Sequence, residues 1–98
     1  MSEFIKDDNG KLMFSLIEPK FLEGVASVLT IGQRKYSIDN WKKVPIDERR
    51  RYKDALLRHI NEYMQGNVVD SESSESHLYH IACNCMFLDY FDKLPKGN

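Results

Sequence analysis

The stretch DSESSESHLYHIACN, residues 70–84, concentrates chemically useful side chains in one short part of a 98-residue chain. Five of them can titrate, bind a metal or form hydrogen bonds: Asp70, Glu72, His77, His80 and Asn84. On a helix, the last three stand at i, i+3 and i+7 and share one face. Carboxylates beside imidazoles suit a divalent cation or general acid–base catalysis near neutral pH. The alternative is structural, because carboxylates are favoured at helix N-termini and histidines often pack as hydrogen-bonded residues.

A second set of candidate residues lies in the segment RKYSIDNWKKVP, which is too polar for a core element and is broken by Pro45. This predicted loop carries Lys35, Tyr36, Asn40 and Trp41. Lysine supplies charge for phosphate, the aromatic rings supply faces for a base, and asparagine can bind donor and acceptor edges. The alternative is a loop that is held by a buried Trp41 and has its lysines in solvent.

The segment ALLRHINEY adds Arg58 and His59. Arg58 has the pattern of a solvated surface charge, whereas His59 shares a predicted helix face with Tyr52, Leu56 and Tyr63. His59 is therefore expected to point inward, where it could meet the histidines of residues 77–80 in a shared pocket.

Three helices are predicted to position these groups. The first has Pro19 in its first turn and ends near Gly32, with an apolar face at three- and four-residue spacing formed by Phe21, Leu22, Val25, Val28 and Leu29. The second is capped by Asp47 and ends at Gly66. After a polar connector, residues 67–73, the third begins near Ser74 and runs to about Leu94, before Pro95-Lys96-Gly97.

No alternating strand pattern competes with these helices. We therefore expect an all-α fold, a small bundle of three main helices in a single domain spanning residues 1–98. One copy has too small a core to cover its large aromatic residues, so a homo-oligomer, a dimer or larger, is expected to complete the bundle.

The composition, 42% hydrophobic and 30% charged, is typical of a globular domain. Residues 34–58 carry nine Lys or Arg against four acids, whereas residues 59–98 carry two Lys against six acids. A basic middle beside an acidic, histidine-bearing third could hold a polyanion near a metal, or it could reflect charge complementarity between helices or subunits. No single helix is basic enough to predict binding of a nucleic-acid polymer.

No run approaches the roughly 18 apolar residues of a membrane helix, and no leader-like segment is visible, so a cytoplasmic protein is expected. Cys83 and Cys85 would point about 200° apart on a helix, which argues against a disulfide between them and favours reduced thiols. Cys85 is expected on the core side of the third helix, together with Ile81, Leu88 and Phe91.

Several short motifs in a fixed order resemble those of a phage protein family, the N-terminal domain of dATP/dGTP diphosphohydrolase. The family is loosely grouped with all-α MazG-like nucleotide pyrophosphohydrolases. The similarity covers roughly residues 11–92, and the family usually has Gly where this chain has Ser74. The motifs are Gly32-x-x-Lys35-Tyr36, Asn40-Trp41, Arg51-Tyr52-x-Asp54-Ala55, Arg58-His59, Asp70-x-Glu72-Ser73 and His77-x-x-His80-x-x-x-Asn84.

This resemblance implies hydrolysis of a purine deoxynucleoside triphosphate to the monophosphate and pyrophosphate with Mg²⁺, in the cytoplasm of a bacterial host. Because Mg²⁺ prefers oxygen ligands, Asp70 and Glu72 are the predicted metal ligands. The predicted catalytic residues are Glu72, His77 and His80. The predicted substrate-binding residues are Lys35, Tyr36, Asn40, Trp41, Arg58, His59 and Asn84.

Two alternatives stay open. The same basic, aromatic and polar groups would serve a protein that binds a purine nucleotide, or a cyclic dinucleotide signal of host immunity, without cleaving it. A purely structural helical subunit is the third possibility. Metal dependence separates the first two functions, since only hydrolysis requires the carboxylates.

Overall fold

The computed structural model describes residues 3–95, and there the chain forms three α-helices: α1 (Pro19–Lys35), α2 (Arg50–Met64) and α3 (His77–Asp92). Short 3₁₀ turns lie at Phe14–Leu16, Asn40–Lys43 and Ile46–Glu48. Residues 3–95 contain no strand, only an isolated antiparallel bridge between Val69 and Ser76. The predicted all-α fold with three main helices is confirmed. The ends of the predicted domain, residues 1–2 and 96–98, lie outside the described part of the chain, as does part of the predicted stop after α3.

The helix α1 begins where predicted and ends later. Pro19 occupies its first turn, and the Glu18 side chain accepts a hydrogen bond from the Lys20 amide. The predicted end near Gly32 is wrong, because the helix continues to Lys35 and the Tyr36 amide donates to the Gly32 carbonyl. Lys35 therefore stands on the last turn of a helix rather than in a loop.

The helix α2 ends as predicted but begins later. After Pro45, residues 46–48 form a separate 3₁₀ turn, so α2 starts at Arg50 and the predicted cap at Asp47 is wrong. At the other end, Gly66 has a φ of 92°, a left-handed conformation that glycine adopts without strain.

The helix α3 begins three residues after the predicted start. Ser76 is its N-cap and accepts a hydrogen bond from the Leu78 amide, whereas Ser74 has a φ of 63° and cannot be helical. The bridge between Val69 and Ser76 holds this segment in the connector. His77 is consequently the first residue of α3.

The seam between α2 and α3 is polar at one end and aromatic at the other. Three α3 residues spaced by seven are buried along it: His77, Asn84 and Phe91. At the aromatic end the Tyr52 ring lies parallel to Phe91 at 6.2 Å, and the Arg49 guanidinium stands 4.3 Å over the same ring. At the other end His59 meets His77. The placement of Cys85 toward the core is wrong, since it is exposed.

The contact between α1 and α3 centres on Gly24, the one residue of α1 that is buried. The Tyr79 ring of α3 covers it, and Phe21 packs edge-on against that ring at 5.4 Å. The predicted apolar face of α1 is therefore only partly correct, because Phe21 and Leu22 remain 40% and 60% exposed.

Much apolar surface stays uncovered in a single copy. The buried hydrophobic residues among those described are Cys83 and Phe91, while Leu57 and Met64 of α2 are 61% and 77% exposed. The radius of gyration is 17.6 Å, against about 13 Å for a compact domain of this length. The expected homo-oligomer stays a prediction. None of the helices within residues 3–95 is long and apolar enough to cross a membrane.

Candidate functional site

The three histidines of the chain converge on one point. His59 projects from α2, while His77 and His80 lie one turn apart at the start of α3. The Nδ1 atoms of His59 and His77 are 2.8 Å apart, and the His59 and His80 rings stack with centroids 4.4 Å apart and planes 8° from parallel. His77 is only 4% exposed. The predicted meeting of an inward His59 with the other two is confirmed.

The contact between His59 and His77 constrains their protonation. Two ring nitrogens at 2.8 Å form a hydrogen bond only if one carries a hydrogen and the other offers its lone pair. At most one proton can therefore lie between the two rings.

The connector between α2 and α3 brings Asp70 to this cluster. The Asp70 amide donates to the Glu75 carbonyl, the Ser74 amide donates to the Asp70 carbonyl, and the His77 amide donates to the Val68 carbonyl. These bonds fold residues 68–77 into a closed loop that places the Asp70 carboxylate beside the histidines.

Ser73 links Asp70 to His80. Its amide donates to Asp70 Oδ2 at 2.8 Å, and its hydroxyl is 2.7 Å from His80 Nε2. Asp70 Oδ2 is 3.8 Å from the same Nε2. In a nucleophilic triad the hydroxyl and the carboxylate bind opposite ring nitrogens, so this arrangement is not such a triad.

Burial favours the uncharged form of two of the histidines, His59 and His80. It lowers the pKa of His59, as does the neighbouring His80, although Asp70 opposes the effect. Burial likewise lowers the pKa of His80 against the opposing charge of Asp70. For Asp70 itself burial acts to raise the pKa, but the hydrogen bonds from Ser73 outweigh it and the pKa is lowered. His59 and His80 are therefore neutral imidazoles beside an ionised Asp70 carboxylate.

A cleft of about 680 Å³ opens beside the cluster, between the end of α1, the segment after it and the facing sides of α2 and α3. Its volume lies in the range of small-molecule sites. Nine of the eleven predicted site residues line it: Lys35, Tyr36, Asn40, Trp41, His59, Asp70, Glu72, His80 and Asn84. Arg58 and His77 line a neighbouring depression of about 750 Å³, which His59 and Asp70 also reach.

Lys35 and Glu72 stand together at the exposed rim of the cleft. Lys35 Nζ is 3.4 Å from Glu72 Oε1, and both side chains are largely exposed. This ion pair raises the pKa of Lys35, with the hydrogen bond to Glu72 as its main cause. Glu72 therefore pairs with a lysine, although its charge also opposes the lowering of the His80 pKa, and its predicted roles in metal binding and catalysis stay predictions.

Trp41 is largely committed to packing. Its ring stacks on Phe87 at 4.6 Å and meets Tyr90 and Phe91 edge-on. The Tyr52 hydroxyl donates to the Trp41 carbonyl at 2.8 Å, which anchors the segment to α2. The aromatic ring most open to a ligand in this cleft is Tyr36, which is 65% exposed.

Asn84 lies at the bottom of the cleft and is 6% exposed. Its Nδ2 donates to the His80 carbonyl at 2.9 Å, so part of its hydrogen-bonding capacity is used within α3. Arg58, by contrast, is exposed beside the depression.

Ser73 and Tyr52 belong to the site although neither was predicted as a site residue. Both occur in the motifs that carry the family resemblance, and that position is the one sequence signal that could have found them. Ser73 orients Asp70 and His80, whereas Tyr52 anchors the Trp41 segment.

One group of described residues could hold a metal ion. One donor atom each from His59, Asp70 and His77 lie within 4.8 Å of one another. Glu72 is outside this group, and the predicted metal-binding pair of Asp70 and Glu72 stays a prediction.

A family model described as dATP/dGTP diphosphohydrolase, N-terminal, matches residues 3–97. The chain belongs to this family. It is also 43% identical over 84 residues to a protein of Salmonella phage PMBT28 named dATP/dGTP diphosphohydrolase. That match covers 86% of this chain but only 28% of the phage protein's length. No solved structure matches the chain.

Proposed function

We propose that the cleft binds a purine deoxynucleoside triphosphate and that the chain takes part in its hydrolysis to the monophosphate and pyrophosphate. The observation that carries this proposal is the convergence of a lysine, an exposed aromatic ring and an Asp–His cluster on one nucleotide-sized cleft. Membership of the family and the name of the phage relative support the same substrate class.

The ends of the substrate would occupy different parts of the cleft. Lys35 lines the cleft and Arg58 lines the neighbouring depression, and both would bind phosphate oxygens. The base would lie on the exposed ring of Tyr36, beside the edge of Trp41, with the Asn40 amide available to its polar edge. Binding of phosphate would require Lys35 to leave Glu72, a surface ion pair that holds it only weakly.

The histidine cluster would supply proton transfer. A water molecule would attack the α-phosphorus, and the bond from that phosphorus to the bridging oxygen of the leaving pyrophosphate would break. The proton lost by the water would pass to a neutral imidazole, for which His80 is the candidate because its pKa is lowered and it lines the cleft. Ser73 would hold that ring in place.

The residues of the cluster do not fit Mg²⁺ well. Mg²⁺ takes oxygen ligands in a near-ideal octahedron, whereas the one grouped set offers two imidazoles and one carboxylate. No step is therefore assigned to an Mg²⁺ ion held by these residues.

Binding without turnover is the second candidate. It is favoured by the pairing of Glu72 with Lys35, which leaves Asp70 as the one carboxylate that the described residues group with the histidines. In that case a purine nucleotide or a cyclic dinucleotide would be held and not cleaved.

The deciding experiment incubates the protein with each of the four deoxynucleoside triphosphates, in Mg²⁺ and separately in Mn²⁺, and measures pyrophosphate. Release of pyrophosphate from dATP or dGTP, but not from dCTP or dTTP, supports hydrolysis. Saturable binding of a purine nucleotide without pyrophosphate supports sequestration, and neither result would overturn the proposed substrate class.

Two matched variants locate the substrate. Lys35→Ala should weaken triphosphate binding, with a smaller loss at high salt. Lys20→Ala is the control, because Lys20 is also an exposed lysine of α1 that pairs with a glutamate, at 4.0 Å, but lies at the opposite end of the helix.

Glu72→Gln then separates two roles. A fall in turnover at unchanged affinity places Glu72 in the chemistry, whereas changed affinity at unchanged turnover limits it to positioning Lys35.

A further inference from the structure

We propose that His59, Asp70 and His77 form a binding site for one divalent transition-metal ion, of the class of Zn²⁺, Fe²⁺ and Co²⁺. One donor atom from each residue lies within 4.8 Å of the other two, and the three come from α2, the connector and the start of α3. An ion there would join the three segments. The inference concerns the ion alone and stands whether or not the cleft hydrolyses a nucleotide.

The contact between the two histidines is the strongest argument. Their Nδ1 atoms lie 2.8 Å apart with room for a single proton between them. Two nitrogens bound to one metal at 2.0–2.1 Å are about 2.9 Å apart at a right angle and about 3.3 Å apart in a tetrahedron. A metal ion could therefore replace the shared proton after a movement of a few tenths of an ångström.

The ligand atoms are held before any ion arrives. His77 is 4% exposed and forms the first turn of α3, so its ring has little freedom. Asp70 is fixed by the closed loop and by the Ser73 amide on its Oδ2, which leaves Oδ1 free to turn toward the histidines. Hydrogen bonds that orient a ligating carboxylate are a regular feature of metal sites. Such a set needs only small rearrangement to bind an ion.

The donor types select the class of metal. Two imidazoles with one carboxylate suit transition metals such as Zn²⁺, Fe²⁺ or Co²⁺, whereas Mg²⁺ takes oxygen ligands. The neighbouring depression, lined by Arg58, Glu62 and the three ligands, leaves one side of the ion open to water or an anion. The predicted pair of Asp70 and Glu72 would have selected Mg²⁺ instead, so the two sites can be told apart by metal preference.

The test uses tag-free protein treated with EDTA and desalted, without nucleotide. Calorimetry with Zn²⁺, Mn²⁺ and Mg²⁺ in turn should show one ion per chain, with Zn²⁺ bound at least about 100-fold more tightly than Mg²⁺. Titration with Co²⁺ should produce visible absorption bands of nitrogen and oxygen ligation that saturate at one equivalent.

Matched variants assign the ligands. Asp70→Asn and His59→Gln should weaken binding of Zn²⁺ by at least about tenfold. Glu72→Gln, the same carboxylate-to-amide change two residues from Asp70, should leave it unchanged. Equal effects of Asp70→Asn and Glu72→Gln would overturn the assignment, as would Mg²⁺ binding as tight as that of Zn²⁺. If a variant loses its helical circular dichroism, the wild-type Co²⁺ titration decides, and the absence of saturable bands up to millimolar Co²⁺ refutes the site.

Discussion

The contact between Gly24 and Tyr79 makes a sharp prediction about stability. A Cβ atom at Gly24 would lie 2.5 Å from Tyr79 Cδ2 and closer still to two other ring carbons. A ring attached to a helix cannot move away as the end of a flexible side chain can, so α1 or α3 must shift. Overpacking of this kind costs about 1–3 kcal/mol, partly offset by the better helix propensity of alanine. Gly24→Ala should therefore lower the free energy of unfolding by about 1–2 kcal/mol.

The matched control is Gly32→Ala on the same helix. Gly32 is helical, and a Cβ there would meet nothing within 4 Å. Only helix propensity should act, which predicts a gain of about 0.5–1 kcal/mol. Urea unfolding followed by circular dichroism should then separate the two variants by about 1.5–3 kcal/mol.

Equal stability of the two variants would refute the packing of α1 on α3. Replacing Tyr79 with Leu in the Gly24→Ala background gives a second check. The smaller side chain should recover part of the loss if the clash is real, because contacting residues show a coupling energy that independent sites do not. The result also bears on the cleft, since α1 carries Lys35 and forms one of its walls.

Other predictions follow from local geometry. Ser74→Gly should raise the free energy of unfolding by about 0.5–1 kcal/mol in urea, because a φ of 63° strains serine but not glycine, and a loss of stability would contradict that conformation. Burial raises the pKa of the Cys83 thiol to about 11, so a thiol reagent at pH 8 should label Cys85 in the native protein and reach Cys83 only on unfolding. Equal native labelling of both would count against the α1–α3 contact. Sedimentation should show a dimer or larger species at micromolar concentration, because association would bury the exposed apolar side chains of Leu57 and Met64. A stable monomer would refute this expectation.

Some of the site could be predicted because it depends on helical periodicity. The spacing of His77, His80 and Asn84 put them on one face, and the apolar neighbours of His59 turned it inward. Two adjacent helices with these faces must bring the histidines together. The polar connector was also predicted as non-helical, which left Asp70 free to approach them.

What periodicity could not show is how pairs of elements interlock. Gly24 gives no hydrophobic signal, yet it permits the close approach of Tyr79. The late start of α3 depends on the bridge between Val69 and Ser76, a contact across the connector that helix propensity does not encode. For Trp41 the sequence left two roles open, stacking on a base or holding its loop by burial, because the packing depends on Phe87, which stands far along the chain.

The pairing of Glu72 with Lys35 has the same origin. The motif placed Glu72 beside Asp70 in sequence, but in the structure Glu72 pairs with Lys35, whereas Asp70 accepts a hydrogen bond from the Ser73 amide. Two residues that are close in sequence within a tight loop need not contact the same group. The choice between a metal-binding and a lysine-binding Glu72 therefore required the three-dimensional path of residues 68–77.

The most direct test of the nucleotide cleft follows the histidine ring protons by NMR. The chain has three histidines, and all three lie in the cluster, so their signals can be assigned with single His→Gln variants. Addition of dATP or dGTP to metal-free protein should shift the His59 and His80 signals saturably, because both residues line the cleft. The same concentration of dTTP should shift them less. Histidine signals that do not move at saturating purine nucleotide would contradict the proposed cleft.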